Sequence, residues 1–438
     1  MHIVLLSGGS GKRLWPLSND VRSKQFIKMF HNEDGELESM VQRVYRQIKA
    51  ADPEADITIA TSRKQVSAIH NQLGDRVSVC VEPTRRDTFP AIALAVSFLH
   101  DEKNVSDDEP VIVCPVDPYV DNSYFDCFHE LEKMVRENRF HLNLMGVEPT
   151  YPSEKYGYMI PENTEHFSSV VAFKEKPDLE TARKYLTDGA LWNCGVFAFR
   201  LGYVLDRAHE LLNFKDYTDL HEHYEACRKI SFDYAIVEHE PSIGVVRYAG
   251  QWKDIGSWNT FAEEMHDPII GRAEMDDTSV NSNIVNELNI PILGMGLRNM
   301  IVAASNDGIL VAEKVQSSYI KPYVEKMRQQ VMYAEKSWGS FTVLDVQPEA
   351  LTIRIVLLPE HQLHYHSHEH RDEVWTVMSG AGIVILNGKK RDVSAGDVIK
   401  MPAGTKHTVV AATELKIIEV QVGKDISVDD KIKYDMPE

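Results

Sequence analysis

The start of the chain constrains its fold more than any other stretch. His2-Ile3-Val4-Leu5-Leu6 is a short apolar run that leads directly into Ser7-Gly8-Gly9-Ser10-Gly11-Lys12-Arg13. An apolar run bounded by glycines predicts a buried strand. The glycines beyond it let backbone N–H groups close around phosphate oxygens without side-chain obstruction. Lys12, Arg13 and Lys24 add positive charge at the same mouth. The expectation is a polyphosphate cradle at the carboxyl end of the first strand of an α/β sheet. The loop is not a P-loop, because Leu6 stands where the first glycine belongs and Arg13, not Ser or Thr, follows Lys12. Nor is it a dinucleotide fingerprint, since Leu14 replaces the third glycine.

The 438-residue chain is long enough for two or three domains. Residues 1–262 alternate apolar runs with amphipathic stretches. Asp56–Ala60, Val77–Val81, Val111–Cys114 and Leu142–Val147 read as strands, and Ala91–His100 and Phe128–Arg136 as helices. This alternation predicts a Rossmann-like domain with a mostly parallel sheet. Residues 263–335 carry short β-rich runs spaced by turn signals, which suits a small β-solenoid, and Ser317–Glu335 reads as a linker helix. Residues 336–438 read as all-β, with strands separated by Gly, Pro and Asn, and predict a compact β-barrel.

Charge narrows the partners. There are 47 basic and 66 acidic residues, a formal net charge of −19. That argues against nucleic acid or an anionic membrane surface. Five scattered cysteines with no Cys-x-x-Cys point to a reducing, cytoplasmic setting. No charged-then-apolar leader precedes the first strand, and no apolar run is long enough to span a bilayer.

Asp117 follows the run Val111–Cys114, and Asp254 lies in Trp252-Lys253-Asp254-Ile255-Gly256. Two carboxylates completed by phosphate oxygens and water suit Mg²⁺. Lys176, in Glu175-Lys176-Pro177, offers a point charge for a second phosphate, and Asn193 could hydrogen-bond a sugar hydroxyl. The pattern GGxGxRLxPL, completed by Lys24, resembles the signature of sugar-1-phosphate nucleotidylyltransferases. The succession GGSGKRLWPL, SKQF, EPTRRDTFPAIALA, VDP, EKYGYM, FKEKPD, WNCGVFAF, DYAIVE and WKDIGSW resembles, block by block, the bacterial mannose-1-phosphate guanylyltransferases, many of which end in a phosphomannose-isomerase-like cupin.

That resemblance implies roles. Gly8, Gly9, Gly11, Arg13 and Lys24 would bind the triphosphate, and Glu82, Arg86 and Asp87 would lie near the base. Gly157, Glu175, Lys176 and Asn193 would hold the sugar phosphate, and Asp117 and Asp254 the magnesium. The implied reaction transfers a nucleotidyl group from GTP, or another NTP, to a sugar-1-phosphate, with release of pyrophosphate. Three alternatives stand beside it: a different base or sugar, a bifunctional enzyme with an active isomerase, and a sensor that no longer turns over. The intact Arg13, Lys24, Asp117, Lys176 and Asp254 weigh against the sensor. Asp87 stands where the family usually has Asn, which bears on base preference, because a carboxylate only accepts where an amide also donates.

The last domain carries two spaced motifs. His366-x-His368 is followed by Glu373 and Gly380, and Gly396, Pro402, Gly404 and His407 follow later. Both resemble cupin motifs. The general cupin spacing picks His366 with His368, and the isomerase-like alignment picks His368 with His370; Glu373 and His407 complete either set. Imidazoles with a carboxylate suit Zn²⁺ or another divalent transition metal. The isomerase resemblance is incomplete, because His366 occupies its Gln position, Val374 its second His position, and Lys431 and Lys433 stand near the end where Arg is usual. The sequence does not fix the oligomeric state, and an exposed strand edge on the solenoid or the cupin could pair two subunits as a homodimer.

Overall fold

A computed structural model describes residues 1–9, 12–19, 21–327, 331–424, 426–427 and 429–437. Contacts within the chain divide it into two compact units. One holds Met1–Ser10 and Ser23–His266, the other Gly11–Arg22 and Asp267–Glu438.

The first unit is built on a nine-stranded sheet. In spatial order its strands are Ser78–Glu82, Asp56–Ser62, His2–Leu6, Pro110–Pro115, Leu191–Arg200, Leu142–Val147, Ile243–Tyr248, Phe167–Lys174 and Tyr158–Pro161. The expectation of a mostly parallel sheet needs correction: the sheet is mixed. The four strands from Ser78–Glu82 to Pro110–Pro115 are parallel. Leu191–Arg200 then runs antiparallel to both of its central neighbours. The chain reaches that strand through the excursion Tyr158–Pro161, Phe167–Lys174 and helix Leu179–Thr187, not through a single crossover helix. Alternating hydrophobicity does not register that reversal.

The predicted helices extend over Thr88–Asp101 and Ser123–Arg136. Thr88–Asp101 is apolar nearly all round because it lies within the core, where Ile92, Leu94, Val96 and Leu99 meet Val111, Val113, Leu144 and Phe197. Strands covered on both faces read as unbroken apolar runs, which is why Val111–Cys114 was legible.

In the second unit, Ile269–Gly271, Asn283–Asn286 and Met300–Ser305 pair in parallel, and Gly308–Glu313 closes their sheet as an antiparallel edge. Ala273–Met275 and Ile292–Gly294 form a second parallel pair. Among the described residues, the helix expected over 317–335 is confined to the single turns Gln316–Tyr319 and Lys321–Val324. Tyr333–Lys336 instead pairs with Gly339–Gln347, because its alternating pattern buries Ala334 against the next strand.

From there the chain forms two antiparallel sheets. One contains Gly339–Gln347, Ala350–Leu357, Leu415–Gly423, Arg371–Ser379 and Val398–Met401, and the other Lys389–Ser394, Ala381–Leu386, His407–Ala411, His366–Ser367 and Ile432–Lys433. Trp375, Val377, Val384, Ile399, Val409 and Ile417 fill the core. This is the compact all-β region expected from the turn spacing.

Candidate functional site

Gly8 and Gly9 follow the first strand directly. Gly9 adopts φ +108°, which other residues avoid, and a Cβ at either glycine would meet no atom within 4 Å. The glycines therefore serve backbone shape and an open approach, not close packing. The Gly9 carbonyl accepts hydrogen bonds from Ser23 Oγ at 3.0 Å and Arg85 Nη2 at 3.0 Å. The Ser7 carbonyl accepts from Gln25 Nε2 at 3.1 Å and Thr61 Oγ1 at 3.2 Å. Gln25, Thr61 and Gln65 are buried polar residues that the sequence reading passed over. Nothing in their spacing flags them, since they hold the loop from two separate segments, Gln25 from one and Thr61 with Gln65 from the other. Gly11 lies outside the described residues. Arg13 sits in the short turn Lys12–Leu14 of the second unit.

Asp117 and Asp254 meet on a two-stranded ribbon. Pro118–Val120 pairs antiparallel with Trp252–Asp254, so that Asp254 lies opposite Pro118. Lys24 Nζ reaches both carboxylates, at 2.8 Å from Asp117 Oδ2 and 4.0 Å from Asp254 Oδ1, and donates to the Ile255 carbonyl at 3.0 Å. Burial alone would raise the Asp117 carboxyl, but the Lys24 ammonium outweighs it and holds the group below its ordinary value.

Two clefts open on either side of Asp117. One, of about 430 Å³, is lined by Gly8, Gly9, Lys24, Glu82, Asp87 and Asp117, with Arg85 and Lys229. The other, of about 230 Å³, is lined by Asp117, Asp254, Gly157, Glu175, Asn193 and Asp233, with Tyr156 and Trp252. Leu6, Thr88, Pro115 and Asp117 belong to both, so the clefts adjoin.

In the larger cleft Glu82 is buried and accepts a hydrogen bond from Tyr224 Oη at 3.1 Å. Burial pushes its pKa up to about 7. Asp87 has φ +72° and caps helix Thr88–Asp101, accepting from Thr88 N at 2.8 Å. Arg86 is turned away from the lining and donates to the Glu225 carbonyl.

In the smaller cleft Asn193 is held at both ends of its amide. Its Oδ1 accepts from Gly195 N at 3.0 Å, and its Nδ2 donates to Asp233 Oδ1 at 2.6 Å. Asp233 is pushed up to about 7, first by burial and then by Glu175. Its importance was missed by the sequence reading, although it opens the block Asp233-Tyr234-Ala235-Ile236-Val237-Glu238. A Cβ at Gly157 would lie 2.5 Å from Glu175 Oε2, so only glycine leaves that carboxylate its place. Lys176, at φ +46°, pairs with Glu175 and is not part of the lining.

In the cupin region His366, His368, Glu373 and His407 are all buried and bring their donor atoms within 4.8 Å of one another. Their placement follows from the ladder: His366 lies opposite His407, and Glu373 projects inward from Arg371–Ser379. Each imidazole donates through Nδ1 to a carbonyl, His366 to His364 at 2.6 Å, His407 to Thr405 at 2.9 Å, and His368 to Asp430. That leaves each Nε2 as the electron-pair donor. Glu373 Oε1 lies 3.0 Å from His368 Nε2, and Oε2 lies 3.1 Å from His407 Nε2. The buried Glu373 Oε2 and His407 Nε2 have no hydrogen-bond partner of good geometry. Burial first, then Lys431 and His407, pushes the His366 pKa down to about 2, keeping its ring neutral. Neutral imidazoles, a carboxylate and orphaned donor atoms fit a divalent transition metal. His370 is not brought into this cluster: it is exposed, and the Asp430 carboxylate holds its Nδ1 at 3.2 Å.

The nucleotidyl transferase family matches residues 2–268, and the mannose-6-phosphate isomerase C-terminal family matches residues 324–436. A mannose-1-phosphate guanylyltransferase of Klebsiella pneumoniae is 27% identical, with 98% of each chain covered. Xanthan biosynthesis protein XanB of Xanthomonas campestris pv. campestris is 28% identical over 99% of this chain and 97% of its own. The crystal structure of a mannose-1-phosphate geranyltransferase from Thermus thermophilus aligns with a TM-score of 0.62 at 25% identity, covering 74% of this chain and 98% of that one. The chain belongs to the nucleotidyl transferase family, matches the mannose-6-phosphate isomerase C-terminal family over its last part and, along nearly its whole length, is similar to mannose-1-phosphate guanylyltransferases.

Proposed function

We propose that this enzyme transfers GMP from GTP to mannose-1-phosphate, forming GDP-mannose and pyrophosphate. The observation that carries the reading is the pair of clefts adjoining at Asp117, one lined by the glycine loop and the other by Gly157, Glu175 and Asn193. Two substrates seated there present a sugar phosphate to the α-phosphorus of the nucleotide. The sugar phosphate oxygen attacks in line and pyrophosphate leaves. No protein nucleophile is needed, so catalysis is alignment plus charge neutralisation.

Gly8, Gly9 and Gly11 cradle the triphosphate and Arg13 holds the departing pyrophosphate. Lys24 steadies the α-phosphate. Lys176, freed from Glu175, meets the sugar phosphate. Glu82 and Asp87 form the surroundings of the base, with Arg86 turned aside to the Glu225 carbonyl, and Glu175 and Asn193 bind sugar hydroxyls. Asp117 and Asp254 are hard oxygen donors, already gathered around one cation, Lys24 Nζ, and so fit Mg²⁺. Asp117 and Asp254 would hold that ion, and the chemistry it would supply is charge neutralisation of the reacting phosphates.

His366, His368, Glu373 and His407 hold Zn²⁺ or another divalent transition metal in the cupin, with His370 outside the ligand set. Residues 1–262, 263–335 and 336–438 are read as transferase, small solenoid and cupin. The solenoid reading is supported by the parallel register Ile269–Ile284–Val302. A cytoplasmic setting is read from the scattered cysteines without Cys-x-x-Cys. No helix among the described residues is long and apolar enough to cross a membrane. A homodimer would pair through a strand edge such as Gly308–Glu313, which ends its sheet among the described residues.

The test is pyrophosphate release over a panel of nucleotides and sugar-1-phosphates. GTP with mannose-1-phosphate is expected to give the highest kcat/KM. A higher value for another pair would replace the substrates, and no release with any pair would leave a non-catalytic binder.

A further inference from the structure

The residues that follow the glycines are built into the β-rich unit, not into the transferase sheet. The chain leaves the first unit after the glycine loop and returns to it at Ser23. Between those points a hairpin turn of the second unit, joining Met300–Ser305 to Gly308–Glu313, receives it. Trp15 packs against Gly308, where a Cβ would stand only 2.5 Å from its Cζ2. Ser305 Oγ donates to the Pro16 carbonyl at 2.6 Å. Asn19 Nδ2 donates to Asp307 Oδ2 at 2.7 Å, while Asn19 Oδ1 accepts from Val21 N and Arg22 N at 2.8 and 2.7 Å. Arg22 then forms a two-pronged pair with Glu287, at 2.7 and 2.9 Å, and lies over the Tyr333 ring. Ser305 and Asp307 are buried, so their contacts with Pro16 and Asn19 are anchored, while the Arg22–Glu287 pair lies nearer the surface.

We propose that this turn, with Glu287, is the positioning clamp for the segment that carries Arg13, and that Arg13 acts in nucleotidyl transfer only while Trp15–Asn19 and Arg22 are held there. The inference rests on the assignment of Arg13 to the departing pyrophosphate. A bidentate Arg–carboxylate pair and a packed indole fix orientation as well as distance. Alignment is the enzyme's main catalytic resource, so a clamp on the segment that carries Arg13 governs turnover.

The test uses the full-length protein and pyrophosphate release with GTP and mannose-1-phosphate. Arg22→Glu and Glu287→Arg are each expected to lower kcat by roughly 10- to 100-fold, as for a misplacement of about 1 Å. The KM for mannose-1-phosphate should stay within about twofold, because the sugar cleft is made by other segments. The combined swap, R22E with E287R, should restore most of kcat. Wild-type kcat in both single variants, or a swap that restores the unfolding midpoint but not kcat, would overturn the proposal. Should the charge reversals fail to fold, Asn19→Ala decides: reduced kcat at unchanged mannose-1-phosphate KM supports the clamp, and wild-type kcat refutes it. Arg13→Ala separates the clamp from its premise. Full turnover in that variant removes Arg13 from the reaction, whereas loss there with wild-type kcat in the clamp variants removes the clamp alone.

Discussion

Replacing Gly157 with alanine asks a narrow question of the sugar cleft. The added Cβ would lie 2.5 Å from Glu175 Oε2 and 3.0 Å from Phe173 Cζ. Contacts to carbon below about 3.0 Å are not tolerated, and relaxed ones lie near 3.5 Å. The carboxylate must therefore retreat by about 0.5–1 Å, because Phe173 narrows the other way out. The Gly157 carbonyl still accepts from Asn193 N at 2.8 Å, and Gly157 has no positive φ, so the backbone itself accommodates alanine. The effect thus falls on the Glu175 carboxylate. Losing a hydrogen bond to a charged group costs about 1.5–3 kcal/mol. At about 1.4 kcal/mol per tenfold, KM for mannose-1-phosphate should rise roughly 10- to 100-fold. KM for GTP should hold, since Gly157 does not line the larger cleft. Initial rates of pyrophosphate release at varied mannose-1-phosphate measure this directly. A KM within twofold of wild type, in a variant with an unchanged unfolding midpoint, would show that Glu175 does not hold the sugar.

Three further outcomes are expected. Asp254→Asn should keep the fold, because its side chain is partly exposed on the ribbon, yet lose magnesium-dependent turnover by at least about 100-fold; near-normal turnover would remove Asp254 from the mechanism. Glu82 and Asp233 both sit near pH 7 in the folded protein, raised from 4.5 and 3.8 by burial. Each takes up a proton on folding, so its contribution is full below about pH 4 and is lost as the pH rises through 7; the unfolding midpoint should fall from pH 5 to 8, and the E82Q, D233N double variant should flatten that slope. His366→Ala should reduce the bound transition metal measured by mass spectrometry, and His370→Ala should leave it unchanged; the reverse order would restore the isomerase-like ligand set.

Much of this was legible in the chain because the governing interactions are local. A strand covered on both faces must be apolar throughout, so Val111–Cys114 announced itself. A backbone that curls around an anion needs glycine, so Gly8 and Gly9 stood out beside Lys24. Alternation along a strand puts His366, His368 and His370 on one face, which left the cupin ligands undecided. The structure separates them because Asp430, far along the chain, holds His370 outward. Asp233 was illegible for a related reason: a single carboxylate on a one-turn helix is ordinary until Asn193 and Glu175 are brought against it. The linker helix failed where pairing between Tyr333–Lys336 and Gly339–Gln347 overrode local propensity.

By itself, then, the sequence determined the chemistry available: a glycine loop with cations, carboxylates at strand ends, and histidines at cupin spacing. Those depend on residue type and on spacings of a few residues, which the backbone periods of strand and helix convert directly into faces. Tertiary structure alone decided which groups meet. It joined Asp117 to Asp254 through a ribbon of two short strands, reversed the central strand Leu191–Arg200, and closed the imidazole cluster around Glu373. It also gave Trp15–Arg22 to the β-rich unit. Such meetings are set by packing and pairing between segments distant in the chain, and no local pattern encodes them.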